Sequence, residues 1–157
     1  MLLNSPSIIH DSEIPPQYTC DGENINPPFT ISYVPQNAQS LVFLVEDPDA
    51  PAGLWVHWMI WNMDPKMTEI REGEVPKGAV GMNSGMTNDW YPICPPEGEH
   101  RYHFKLFALD TMLELDEKTV TREDLLAAME DHIVAKAELV GRYTKAENKV
   151  TLEQPTT

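Results

Sequence analysis

The sequence predicts a mainly β, single-domain protein, with its strands first and one substantial helix late. Three observations carry this. Apolar runs at residues 29–34, 39–46, 55–62 and 100–110 have strand length and are separated by turn residues. The segment 63–99 is punctuated by Gly and Pro. Residues 121–141 carry an apolar stripe at helical spacing. At 157 residues, with no repeat and no break in composition, the chain is the usual size of one domain.

In chain order, residues 1–38 are turn-rich, with Ile14-Pro15-Pro16, Cys20-Asp21-Gly22 and Asn26-Pro27-Pro28. Residues 29–34 alternate and stop at Pro35. Residues 39–46 form a second strand, apolar on both faces from Leu41 to Val45. An acidic turn follows, Asp47-Pro48-Asp49-Ala50-Pro51. Its prolines fix their own φ and hold Asp47 and Ala50 extended. Strict alternation over 55–62 places Trp55, His57, Met59 and Trp61 on one face and Val56, Trp58 and Ile60 on the other. Both faces are apolar, as in a central strand, and His57 is the polar residue in that wall. Segment 63–99 reads as mostly loop, longer than the ~12–15 residues usual in compact domains, hence functional or mobile. In 100–110, His100, Tyr102, Phe104, Leu106 and Ala108 face one way, and Arg101, His103, Lys105 and Phe107 the other. The helix predicted over 121–141 is capped by Thr121 with Asp124. Its stripe is Leu125, Leu126, Met129, Ile133, Ala137 and Val140, and Gly141 stops it. The last dozen or so residues are polar and expected to fray or lie along an edge.

Eleven basic residues against 25 acidic ones give a net charge of −14. That argues against nucleic acid and anionic membrane surfaces as partners. The start has no basic n-region and no long apolar run, so it reads as no signal peptide. No segment reaches the ~20 apolar residues of a membrane span. A cytoplasmic location is expected. Cys20 and Cys94 are the only cysteines and form no Cys-x-x-Cys pair. Two free thiols are the cytosolic default, while a bond between them, closing a long loop, stays open.

The groups that could do chemistry are Asp47, Asp49, His57, Cys94, His100, Tyr102 and His103. Strand parity aims His100 and Tyr102 at one pocket and sends His103 away, which weakens any metal site using both histidines. No spacing demands a metal, and no cofactor motif is present. The plain alternatives are a core His57 satisfied by a carboxylate, and ordinary turn chemistry for the Asp-Pro pair. Gly81-Met-Asn-Ser84-Gly85 is not Gly-x-Ser-x-Gly. A Cys94 nucleophile with a histidine base and an Asp orienter is an enzyme reading. Cys94 sits, however, in an Ile-Cys-Pro-Pro loop without the helix N-terminus that lowers a thiol pKa.

Three segments together, Asp47-Pro-Asp-Ala-Pro51, Trp55-Val-His57-Trp58 and Pro95-Pro96-Glu-Gly98-Glu-His100-Arg101-Tyr102, resemble the signature of the phosphatidylethanolamine-binding protein family. Over nearly its whole length the chain is similar to the compact bacterial and archaeal, Raf-kinase-inhibitor-like branch. The stretches from Tyr18 to Pro27 and from Ala137 to Tyr143 agree with it. The resemblance implies two antiparallel sheets with Greek-key connections and a small anion pocket at one end. It implies that Asp47 and His57 line the floor, with Asp47 setting the state of His57, and that His100 and Tyr102 lie opposite. Ala50, Cys94 and Pro96 would form the rim. The segment Asn88-Asp89-Trp90-Tyr91-Pro92-Ile93 departs from relatives that are glycine-rich there, so the mouth is expected to differ. The helix that covers the pocket in eukaryotic members has no counterpart, so a kinase-regulating role does not transfer.

The expected function is therefore non-catalytic binding of a phosphate-bearing small molecule or lipid head group, with room for a regulatory role. One alternative is an interaction module inhibiting a serine protease, as some relatives do, through the segment 63–99. A second is a Cys94-dependent hydrolase. A homodimer is left open.

Overall fold

The computed structural model describes residues 1–149. Among them, nine strands and one α-helix follow in chain order. They are β1 (Leu2–Asn4), β2 (Ser12–Glu13), β3 (Phe29–Ser32), β4 (Ser40–Asp47), β5 (Trp55–Met63), β6 (Glu69–Ile70), β7 (Ala79–Val80), β8 (Glu99–Leu109), α1 (Arg122–Met129) and β9 (Ile133–Thr144). A large sheet runs β2-β9-β8-β4-β5-β7 and a small one β1-β3-β6. Pairing is antiparallel except for β2 with β9. The path from β5 to β8 steps over β4, a Greek-key connection that puts β4 in the middle.

Alternation along β4 and β8 explains the layers. Leu41, Phe43 and Val45, with Phe104, Leu106 and Ala108, pack against Leu3, Phe29, Ile31 and Ile70 of the small sheet. The Phe29 ring lies 4.8 Å from that of Phe104 and 5.2 Å from that of Phe43. Val42, Leu44 and Phe107 on the opposite face pack against Leu113, Val120, Leu125 and Met129 around α1. β4 is apolar on both sides because it is covered on both sides. Glu46 is the exception on the helix side. It accepts from Lys105 Nζ and from Arg122 Nε, each at 2.6 Å, and so ties the start of α1 to the sheet.

The helix is much shorter than the expected 121–141. Thr121 caps it, and the capping box with Asp124 is complete. It then ends at Met129, and the second half of the predicted helix is strand β9. Ala135, Ala137, Leu139, Gly141 and Tyr143 alternate there with Lys136, Glu138, Val140 and Arg142, a period of two that the helical stripe obscured. A register of paired residues with β8, running from Glu99↔Thr144 to Leu109↔Ile133, decides the matter. Gly141 is not a helix stop. A Cβ there would lie 2.5 Å from Ile14 Cγ1, so the glycine lets β9 and the segment before it approach.

Two further expectations change. Segment 63–99 contains β6 and β7, one in each sheet. Cys20 and Cys94 are not free thiols but a disulfide, with Cα atoms 5.4 Å apart across 74 residues of sequence. Of the polar tail, residues 146–148 form a 3₁₀ turn, and Lys149 pairs with Glu13 at the edge of the large sheet. The rest of that expectation, on residues 150–157, lies outside the described residues. No helix among the described residues is long and apolar enough to cross a membrane.

Candidate functional site

Asp47 ends β4 on the face shared with Phe43 and Val45, where the sandwich opens. Its Oδ1 accepts the Asp49 backbone N–H at 2.8 Å, closing the Asp-Pro turn. Its Oδ2 accepts from His100 Nδ1–H at 2.6 Å, with both side chains almost fully buried. Asp49 turns the other way. It takes the Arg101 backbone N–H and two guanidinium N–H groups at 2.8–2.9 Å, and these bonds bring its carboxyl down to about 2. One turn carboxylate thus faces inward, and the other fastens the turn to β8.

His57 reaches the same place by an irregularity. Val45 pairs with Trp58, but Glu46 pairs with Val56, so His57 is the extra residue of a β-bulge. The bulge breaks strict alternation. Val56, Met59 and Trp61 lie in the helix-side cluster, and Trp58, Ile60 and Met63 in the core between the sheets. His57 therefore does not share a face with Met59 and Trp61, as alternation predicts. The free edge of β5 at the bulge is filled by the following loop. The Tyr91 N–H donates to the His57 carbonyl at 2.9 Å, and His57 Nδ1–H donates to the Tyr91 carbonyl at 2.8 Å. Gly85 makes room for this, since a Cβ there would fall 2.3 Å from the Tyr91 ring. The expected pairing of Asp47 with His57 is replaced by two others, Asp47 with His100 and Tyr91 with His57.

Asp47, His57, His100 and Tyr102 form the buried part of one cavity of about 300 Å³. Half-exposed Ala50 and Cys94 and exposed Pro96 line its outer part. The structure thus brings all seven candidate residues together. His103 points away, to Glu138. Tyr91 and Pro92, from the segment expected to alter the mouth, line the cavity, and so does Trp55, which sequence reasoning did not place there. Trp55 has a signal, two residues before His57 ahead of the same turn. The Tyr91 carbonyl has none, because a loop backbone atom leaves no trace in residue type. Within the altered 88–93 segment, Trp90 packs edge-on against Trp58 and Ile93 is fully buried.

The cavity's hydrogen-bonding capacity is only partly used. Burial lowers the His57 pKa; the Tyr91 carbonyl and Asp47 oppose this, and His100 adds to it. Burial, then the Asp47 charge, pushes the Tyr102 hydroxyl far up, so it remains a neutral donor. That hydroxyl and the Nε2 atoms of His57 and His100 have no hydrogen-bond partner among the described residues, although their residues are nearly fully buried. No group of three or more metal-binding side chains is clustered among the described residues. Cys94 is held in the disulfide and offers no thiolate, which removes the nucleophile from the hydrolase reading.

Comparison with known proteins places this geometry. The family model described as phosphatidylethanolamine-binding protein matches residues 4–144. A protein of Chlamydia trachomatis named UPF0098 is 43% identical over 150 residues, covering 92% of this chain and 99% of its own length. Another of that name from Methanothermobacter thermautotrophicus is 46% identical over 138 residues, 84% of this chain and 91% of its own. Among solved structures, a phosphatidylethanolamine-binding protein homologue of Chlamydia trachomatis superposes with a TM-score of 0.87 at 43% identity, covering 92% of this chain and 97% of that one. Escherichia coli YbcL, described as a member of the mammalian family, superposes at 0.82 with 26% identity, covering 90% and 96%. With its sandwich, its buried cavity and these relatives, the chain belongs to the phosphatidylethanolamine-binding protein family.

Proposed function

We propose that this protein binds, without transforming it, a small oxyanion such as a phosphate-bearing head group or metabolite. The observation that carries the reading is the set of unspent polar groups just described: one neutral hydroxyl and two imidazole nitrogens, of nearly buried residues that line one cavity, without protein partners of their own. The three atoms spend no hydrogen bond on the protein and line the same cavity, so a ligand with matching donors and acceptors can engage all three at once. The volume, about 300 Å³, is at the small end for ligand sites and suits a head group rather than a whole lipid. Within the cavity, Cys94 is in the disulfide and no serine or threonine lines the wall, which supports a binding role over nucleophilic catalysis. With a net charge of −14, long-range attraction of anions is unfavourable, so affinity is expected to be weak and local to the cavity. A cytoplasmic location belongs to this proposal with one condition: the Cys20–Cys94 bond persists only where the compartment does not reduce it.

Titration with inorganic phosphate and phosphoethanolamine, followed by calorimetry and by the imidazole signals of His57 and His100, tests the reading. Binding in the millimolar range is expected. Tyr102→Phe should weaken it roughly tenfold, the worth of one hydrogen bond to a charged group, while leaving the melting temperature unchanged because the hydroxyl has no protein partner. Unperturbed imidazole signals at millimolar ligand and mildly acid pH would overturn it.

A further inference from the structure

The histidines of the cavity have their hydrogens assigned by the protein. The Tyr91 carbonyl can only accept, so neutral His57 carries its hydrogen on Nδ1 and presents a lone pair at Nε2. Tyr91 is held through both of its backbone groups, because its N–H also binds the His57 carbonyl, so its own carbonyl stays in place and turning the ring over would forfeit the Nδ1–H bond. His100 likewise donates from Nδ1, to Asp47. Its Nε2 is a lone pair when the ring is neutral and an N–H when it is charged.

The groups that face His57 are Asp47 from β4, His100 and Tyr102 from β8, and Trp90 and Tyr91 from the loop. Asp49 and Arg101 neutralise each other at the edge. A fully ionised oxyanion would therefore meet the Asp47 charge and the His57 lone pair, with the Tyr102 hydroxyl as the permanent donor among the three open side-chain atoms. An oxyanion that keeps an acidic hydrogen fits better. Its O–H donates to His57 Nε2, and its bare oxygens accept from the Tyr102 hydroxyl and from His100 when that ring is charged.

We infer that the cavity selects the monoanionic, hydrogen-bearing form of a phosphate or phosphomonoester over fully ionised oxyanions, with His57 as the residue that reads the hydrogen. The inference rests on the cavity being an anion site. It adds that the ligand must bring a donor as well as acceptors.

Methyl phosphate and sulfate separate the two ideas, because both are tetrahedral oxyanions but sulfate has no hydrogen at any pH used. Calorimetric titration of each at pH 5.5 and 7.5 is the experiment. Methyl phosphate is expected to bind at least about tenfold more tightly than sulfate at pH 5.5, since sulfate sets an acceptor instead of a donor against the His57 lone pair. The ratio should shrink by about tenfold or more at pH 7.5, above the second phosphate pKa of about 6. His57→Phe should bring the two affinities together. Should that variant not fold, the ¹⁵N signals of His57 in the wild-type complex give the same information: neutral, with hydrogen on Nδ1, is the expected state. Equal affinity for the two anions, or a doubly protonated His57 in the methyl phosphate complex, overturns this inference and leaves the anion site standing. Binding of neither anion overturns both.

Discussion

Glu46 and Asp47 are neighbours on β4, both carboxylates and both nearly fully buried, at 1% and 3% exposure. Alternation sends them to opposite faces of the large sheet. Glu46 meets Lys105 and Arg122. Burial alone would raise its pKa, but the two cations outweigh that and lower it. Both of its oxygens are spent on fastening α1 to the sheet. Asp47 meets an imidazole and a turn N–H, and the groups beside it, Tyr102 and His57, remain open toward a cavity. Equal burial thus goes with opposite roles. The outer face satisfies its charge within the protein; the inner face is braced by the Cys20–Cys94 disulfide but leaves polar capacity over.

The strongest way to break this comparison is to remove the inner brace. Reduction of the disulfide, or Cys20→Ser, frees a loop of 74 residues' separation. It should cost roughly 4 kcal/mol by the chain-entropy model, lowering the melting temperature by roughly 10 °C. Calorimetric scans with and without reductant measure it. Equal melting temperatures would show that the cavity's outer wall does not need the bond.

Glu46→Gln comes next. Breaking a buried pair costs about 3–5 kcal/mol when both partners are buried. Lys105 and Arg122 are 28% and 24% exposed and can turn to water, so about 2 kcal/mol is expected. Urea denaturation checks the stability, and phosphate titration should return the wild-type affinity. A large loss of affinity would mean that the two faces are coupled through β4.

The smallest effect concerns Asp49. Its carboxyl titrates at about 2 in the folded protein against an ordinary 3.8, so its contribution is complete above roughly pH 4 and is lost as the pH falls toward 2. Arg101 is 45% exposed, and solvent screening holds the contribution below about 1 kcal/mol. Asp49→Asn should be less stable than wild type by that amount in urea melts at pH 6, and the difference should vanish near pH 2. A difference that persists there would assign the effect to the turn rather than to the charge.

How far the sequence reveals this molecule depends on which interactions are local. Strands β4 and β8 are legible because their alternation is unbroken, and in β8 that parity aims His100 and Tyr102 at one place, to which the family resemblance adds Asp47. β9 is not, because Leu125, Met129, Ile133 and Val140 also fit a helix, and only a partner strand distant in sequence favours the period of two. The bulge at His57 is equally hidden, since one extra residue changes the register without changing residue types. Cys20 and Cys94 could not be paired from spacing, and the Tyr91 carbonyl that fixes the tautomer of His57 is backbone. The short strands β1, β2, β6 and β7, two or three residues each, lack the length to show a period.

The bulge at His57 also bears on how such a protein can diverge. Residues 58–63 hold their place through the core, while residues 55–57 are offset by one position against β4 and bonded on their other edge to a loop. Substitutions or insertions in the arm ahead of the bulge, or in the loop that grips it, can reshape the binding end without repacking the sandwich. The arm ahead of the bulge stays paired with β4 through Trp55 and Val56, so change there is freest on the edge that meets the loop, while the part beyond the bulge conserves architecture.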